Sequence, residues 1–156
     1  MGIVPDVRST VSMDLKAPGN LLYLLGDTYP ELGGSEYYRL QGFLGDSVPK
    51  LHATKARRTY YNLTKAMGEG IIRSCHDLSE GGLAVAAAEM AFAGGYGLEL
   101  DLRSAPNKLV TRNDFLLFSE SNSRFLIEVA EQDRSEFEEL IRNKACAPIG
   151  LSLIHI

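Results

Sequence analysis

This 156-residue sequence has no long apolar run, no closely spaced cysteine pair and no block of one charge. Its apolar stretches, such as residues 21–25 and 115–118, are far shorter than the ~20 residues that cross a bilayer. The start of the chain offers no apolar leader core, since Met1 is followed by Pro5, Asp6 and Arg8. Only two cysteines occur, Cys75 and Cys146, with no Cys-x-x-Cys spacing. That usage suits a reduced, cytoplasmic protein in which both thiols act as small core hydrophobes. His52, His76 and His155 stand at no ligand spacing to either cysteine, so no metal site is expected. Acidic and basic residues are interspersed at a net charge of −4, which gives nucleic acid no basic face to bind. The densest basic cluster, Lys55, Arg57 and Arg58, reads as a solvated helix face. Also absent are a nucleophile elbow, a Walker loop and a Gly-x-Gly-x-x-Gly fingerprint.

What is present is enough for one ordinary folded domain. An apolar fraction of 45% can build a core, so disorder is excluded for most of the chain. Residues 3–7 and 11–15 read as short strands, and 16–20 as a Pro-Gly turn. The almost wholly apolar stretch 20–26 predicts a strand covered on both faces. A loop over 26–35 opens a short helix from about Glu36. A longer helix spans 53–67, with Ala56, Tyr60, Leu63 and Met67 at helical spacing. Residues 71–75 predict a buried strand, and 83–92 an Ala-rich helix ended by Gly94-Gly95. Residues 97–102 alternate as a half-exposed strand. Two apolar strands, 115–118 and 125–129, bracket a polar turn. A last helix over 132–144 presents Phe137, Leu140 and Ile141 on one face. The sum is a mixed α/β layer structure.

Three loops carry the polar chemistry. In His76-Asp-Leu-Ser-Glu-Gly-Gly-Leu83 a strand end passes into a helix start. Asp77 is expected to cap that helix, with Glu80 completing a capping box. Gly81 and Gly82 let a backbone or ligand approach closely, and the helix start is a generic anion site. Gly33-Gly34-Ser35-Glu36 repeats the arrangement. Glu120-Ser121-Asn122 belongs to the third loop. The three loops are expected to converge at one sheet edge, where α/β folds place ligands. His76 and Asp77, as strand neighbours, point to opposite faces and make a poor acid/base dyad. No residue is assigned as catalytic.

In order and wording these segments resemble the second-domain pattern of the aminoimidazole ribonucleotide synthetase superfamily. Within it, His76–Leu83, Leu117-Phe-Ser-Glu-Ser-Asn-Ser-Arg-Phe125 and Tyr23-Leu-Leu-Gly-Asp-Thr-Tyr-Pro-Glu-Leu-Gly-Gly-Ser-Glu-Tyr37 are similar to the formylglycinamidine ribonucleotide synthases. The resemblance implies a mixed sheet covered by helices over residues 1–150, corresponding to the second B domain of a tandem enzyme with two A and two B domains. It implies a purine-biosynthetic ligase that turns a formylglycinamide amide into an amidine. ATP phosphorylates the amide oxygen, and ammonia from glutamine displaces the phosphate. The family's catalytic histidines, magnesium ligands and most ATP contacts lie in its A domains, so ATP and Mg belong to the parent enzyme and the isolated chain is expected to be inactive. Implied partners are the upstream A domain, a glutaminase domain or subunit and, in small-type enzymes, a further small subunit.

Ligand or phosphate contacts carried over from the resemblance fall on Gly33, Gly34, Ser35, His76, Asp77, Ser79, Gly81, Gly82, Glu120, Ser121 and Asn122. Glu120-Ser121-Asn122 is the pseudo-symmetric counterpart of a Glu-Ser-Gln substrate triplet, with Asn in third place. Residues 151–156 depart from the family pattern and read as a non-native tail after a truncation. Their back-translation CTG TCT CTT ATA CAC ATC reads as a transposon end, which leaves His155 without a role; the other reading is a divergent terminal strand. Two further functions stay open. One is a non-catalytic assembly or nucleotide-binding domain. The other is a different superfamily enzyme: the aminoimidazole synthetase, or a thiamine-phosphate or selenophosphate kinase.

Overall fold

In the computed structural model, residues 3–4, 6–142 and 145–154 are described. Five strands, β1 (Leu21–Leu25), β2 (Ile72–Asp77), β3 (Gly97–Leu100), β4 (Phe125–Val129) and β5 (Cys146–Leu153), form one sheet in the order β2-β4-β1-β5-β3. All four ladders are antiparallel. Among the described residues five α-helices accompany it: α1 (Glu36–Leu40), α2 (Ala53–Gly68), α3 (Gly82–Gly94), α4 (Asn113–Phe118) and α5 (Arg134–Leu140).

β1 is the central strand, and its composition explains why. Side chains alternate across a strand, and here both sets are apolar and buried. Leu22 and Leu24 enter a core with Leu83, Ala86, Ala87 and Met90 of α3. Leu21, Tyr23 and Leu25 enter a second core with Leu63 and Ala66 of α2 and Phe137 and Ile141. Fully burying each leucine contributes about 1.5–3 kcal/mol, so five consecutive apolar residues hold helices to both faces at once. β4 follows the same logic, with Leu126 on the α3 side and Ile127 and Val129 on the other.

A carboxylate sits inside this arrangement. Glu128 is fully buried, and burial is tolerated because its carboxylate is saturated with donors. It accepts from the Lys16 and Ala17 amides at 2.9 and 3.2 Å, from Asn20 Nδ2 at 2.8 Å and from Ser74 Oγ at 2.8 Å. The turn before β1 is thereby pinned to β2.

Several expectations are corrected. Residues 3–7 form no strand among those described; Pro5 lies outside them. Asp6 instead accepts the Arg8 amide at 2.9 Å and starts a 3-10 turn at Val7–Ser9. Residues 11–15 form no strand either. Isolated bonds hold them, the Cys75 amide to Ser12 O and the Leu15 amide to Met90 O. Residues 115–118 belong to helix α4 rather than a strand. Four apolar residues fit either state, and here Asp114 accepts the Phe115 amide while Leu116 is buried. The last helix is α5, preceded by a 3-10 turn at Glu131–Asp133; Lys144, its expected end, lies outside the described residues. β5 runs through Gly150 to Leu153, pairing Leu151 with Leu21 and Leu153 with Gly97. The ladder is therefore continuous across the expected boundary at 150, while His155 lies outside the described residues.

Cys75 and Cys146 lie at the edge of the second core, where burial pushes both thiols up to about 12. An unfolded thiol ionises near ~8.5. Between these values the unfolded chain gives up protons that the folded chain retains, so stability must fall as pH rises. Urea midpoints measured from neutral to alkaline pH will drop in the native chain and drop less steeply in a Cys75→Ala/Cys146→Ala variant. Equal slopes would show that the thiols are not responsible.

Candidate functional site

The convergence of the three loops follows from register. β4 runs antiparallel to both β1 and β2, and Phe125 pairs with Leu25 on one side and Asp77 on the other. The chain therefore leaves β1, leaves β2 and enters β4 at the same sheet edge. The loops 26–35, 77–82 and 119–124 must meet there.

A buried guanidinium fastens two of them. Arg124 donates to Ser121 O at 3.3 Å, to Thr28 Oγ1 at 2.8 Å and to Ser119 O. Burial pulls its basicity down to about 10, partly offset by the negative charge of Glu31, so it remains a cation at neutral pH. Glu31 is itself buried. Its Oε1 accepts the Lys50 amide at 3.1 Å, and its Oε2 is the one buried side-chain oxygen without a hydrogen-bond partner among the described residues. Ser121 is buried too, accepting the Tyr29 amide at 3.0 Å.

Glu120 joins the third loop. Its Oε1 accepts the Gly81 amide at 2.9 Å and the Glu36 amide at 3.2 Å. One carboxylate oxygen thus serves the starts of α3 and α1, where amide protons have no helical partner and the dipole favours negative charge. The capping expectation is corrected here. α3 begins at Gly82 behind a left-handed Gly81 that provides no side-chain cap. Asp77 is turned aside, accepting the Ser79 hydroxyl at 2.7 Å, and that bond holds its carboxyl below the usual range. The cap comes from a residue distant in sequence.

The glycines make the junction tight. A Cβ on Gly82 would stand 2.5 Å from Ser119 O and 2.8 Å from Leu117 O, so α3 can start beneath α4 only with glycine there. One on Gly33 would lie 2.8 Å from the Ser47 backbone. The Gly34 amide donates to Leu44 O at 2.7 Å. Ser35 is the buried N-cap of α1, accepting the Tyr38 amide at 3.2 Å. His76 lies on the far side of β2, bonded through Nε2 to Glu89 of α3 at 2.8 Å and only 3.5 Å through Nδ1 from Asp77.

Beside the junction lies a cavity of about 680 Å³, lined by Asp77, Ser79, Glu80, Glu120, Asn122 and Arg124 among others. Asp77 is 65% exposed toward solvent and Asn122 is exposed. Of the expected residues, Asp77, Ser79, Glu120 and Asn122 share this cavity, while Gly33, Gly34, Ser35, His76, Gly82 and Ser121 do not line it. Sequence reasoning missed Thr28, Glu31 and Arg124, although all three stand inside the motifs it quoted. A charged residue wedged between two apolar strands was the available signal. Among the described residues no group of three or more His, Cys, Asp or Glu is placed to hold a metal ion, and no helix is long and apolar enough to cross a membrane.

Comparison with known proteins places these features. Residues 17–151 match the family described as AIR synthase related protein, C-terminal domain. The phosphoribosylformylglycinamidine synthase subunit PurL of Methanothrix thermoacetophila is 39% identical over 155 residues, 99% of this chain and 20% of that relative. The same subunit of Moorella thermoacetica is 40% identical over 145 residues, 92% of this chain and 19% of that relative. The chain spans about a fifth of the length of the curated relatives it matches. Among solved structures, T. maritima PurL complexed with FGAR aligns with a TM-score of 0.80 at 18% identity, covering 94% of this chain and 26% of that one. E. coli HypE, a hydrogenase maturation protein, aligns with a TM-score of 0.68 at 18% identity, covering 94% of this chain and 47% of that one. At such identities the solved structures show a shared fold.

The buried guanidinium gives the junction its sharpest stability test. Arg124→Met leaves two carbonyls and a hydroxyl without their donor, and each unsatisfied buried group costs about 1–3 kcal/mol. Urea denaturation should therefore show a loss of about 3 kcal/mol or more, with Arg124→Lys intermediate because an ammonium cannot fork to three acceptors. A loss under about 1 kcal/mol, the worth of a single ordinary hydrogen bond, would show that the loops are held by other contacts.

Proposed function

The chain belongs to the family of AIR synthase related protein C-terminal domains, and from that premise we propose that it is the matching portion of a phosphoribosylformylglycinamidine synthase. The parent enzyme would convert formylglycinamide ribonucleotide to formylglycinamidine ribonucleotide in the cytoplasm, using ATP and glutamine-derived ammonia. The observation that carries this reading is identity near 40% along 99% of the chain to one kind of synthase subunit. Residues 1–150 are its second B domain, whose last strand continues to Leu153. Its partners are the upstream A domain, a glutaminase domain or subunit and, in small-type enzymes, a further small subunit. Exposed Leu40, Phe43, Leu44, Val48 and Leu51 support a face that packs against the rest of such an enzyme.

The parent's ATP does not fit the three-loop junction of this chain alone. Its cavity sets the carboxylates of Asp77, Glu80 and Glu120 against the single guanidinium of Arg124, a balance that repels a triphosphate. The amides at the starts of α1 and α3 are already taken by Glu120. No chemical step is assigned to these residues. Of the ligand-contact residues implied by the family, Asp77, Ser79 and Asn122 are the ones free to face a ligand. Gly33, Gly34, Ser35, Gly81, Gly82, Glu120 and Ser121 shape the junction, and His76 is committed to Glu89.

A domain exchange tests this reading. Purified alone, the chain should form no formylglycinamidine ribonucleotide from formylglycinamide ribonucleotide, ATP, magnesium and ammonia. Put in place of the matching segment of the Methanothrix subunit, it should support turnover. A soluble chimera that binds its partner subunits yet stays inactive, beside an active parent, would contradict the assignment.

A further inference from the structure

A second cavity, of about 690 Å³, opens next to the junction and shares Asn122 and Ser123 with it. Its charge is of the opposite sign. Lys55, Arg58 and Lys108 line it against one carboxylate, Asp27. That is a cationic pocket on a chain whose net charge is −4.

The cations face the cavity from two parts of the chain. Lys55 and Arg58 stand one turn apart near the start of α2. The backbone of Lys108 is fixed across the cavity, because its amide donates to Thr28 O at 2.9 Å while the Thr28 amide donates to Pro106 O at 3.0 Å. Asp27, only 11% exposed, sits between the two ammonium groups, 3.5 Å from Lys55 and 3.6 Å from Lys108. These separations exceed a good N–H···O bond of about 2.9 Å. The ammonium protons, three on each, are therefore not used up by Asp27. Lys55 also donates to Tyr29 Oη at 3.1 Å, and Tyr29 and His52 form an aromatic wall with centroids 5.5 Å apart.

We propose that this cavity binds the phosphate group of a small polar phosphomonoester, with Lys55, Arg58 and Lys108 donating to its terminal oxygens. A phosphate dianion offers three acceptor oxygens to three cations on two sides of the cavity, which a carboxylate with two oxygens cannot do. The volume beyond the cations holds the organic remainder against Tyr29, His52 and Asn107. Asp27 is a positioning residue that draws the two lysines together. The proposal concerns a different cavity from the three-loop junction and does not rest on the synthase reading.

Calorimetric titration of the 156-residue chain with ribose 5-phosphate, ribose and inorganic phosphate tests it. Ribose 5-phosphate should bind, ribose should not, and inorganic phosphate should bind more weakly than the ester. Lys108→Met and Arg58→Met should each weaken the ester by about tenfold, the effect of one lost charge-assisted bond. Arg57→Met, on the same helix but outside the cavity, should change it by less than about twofold, since a charge exposed to solvent off the cavity wall is screened. No binding of the ester, equal binding of ribose, or equal loss in Arg57→Met would each overturn the site. Equal affinity for inorganic phosphate would overturn the place assigned to the organic remainder.

Discussion

A single carboxylate oxygen, Oε1 of Glu120, accepts amides from two helix starts that are far apart in sequence. The arrangement around the sheet edge depends on it. Without that acceptor, the first amides of α1 and α3 would face each other across the junction with no partner for their positive ends. Glu120 reaches both only because Arg124, four residues on, gathers the loop carbonyls and Thr28 around a buried cation. Arg124 in turn is aimed inward because Phe125 is registered between Leu25 and Asp77. Strand register, buried cation and shared cap form one chain of causes.

That arrangement alters the meaning of the glycine-rich loops. A helix start with free amides invites an anion, yet here the protein supplies its own. The Gly81 and Glu36 amides are satisfied internally, and the neighbouring cavity carries an excess of carboxylates. A loop with the wording of a phosphate cradle can therefore serve to lock domain parts together. The excess positive charge lies a few residues away, around Asp27, where Lys55 and Arg58 turn from a solvated helix face into a cavity wall.

The sequence revealed the elements whose composition left one choice. Residues 21–25 are apolar at every position and form the central strand; the Ala-rich run before Gly94-Gly95 forms α3. The convergence of the three polar loops was an expectation that the sequence could not itself display, because it follows from the register of β4 between β1 and β2. What could not be read depended on partners remote in sequence. Residues 115–118 have no period to separate helix from strand, and contact with α3 made them helical. Ile3 and Val4 are apolar but exposed, because no sheet edge receives them. Asp77 had the right spacing for a cap, yet Glu120 took the position from thirty-nine residues away. Arg124 looked like an ordinary turn residue, and only the tertiary fold buries it.

Amide hydrogen exchange on a Glu120→Ala variant tests the central claim most directly. If one oxygen caps both helices, the Gly81 and Glu36 amides will lose protection together, while the β1–β4 ladder keeps its own. Loss at one helix start with the other unchanged would contradict the shared cap, as would protection at both amides equal to that of the native chain.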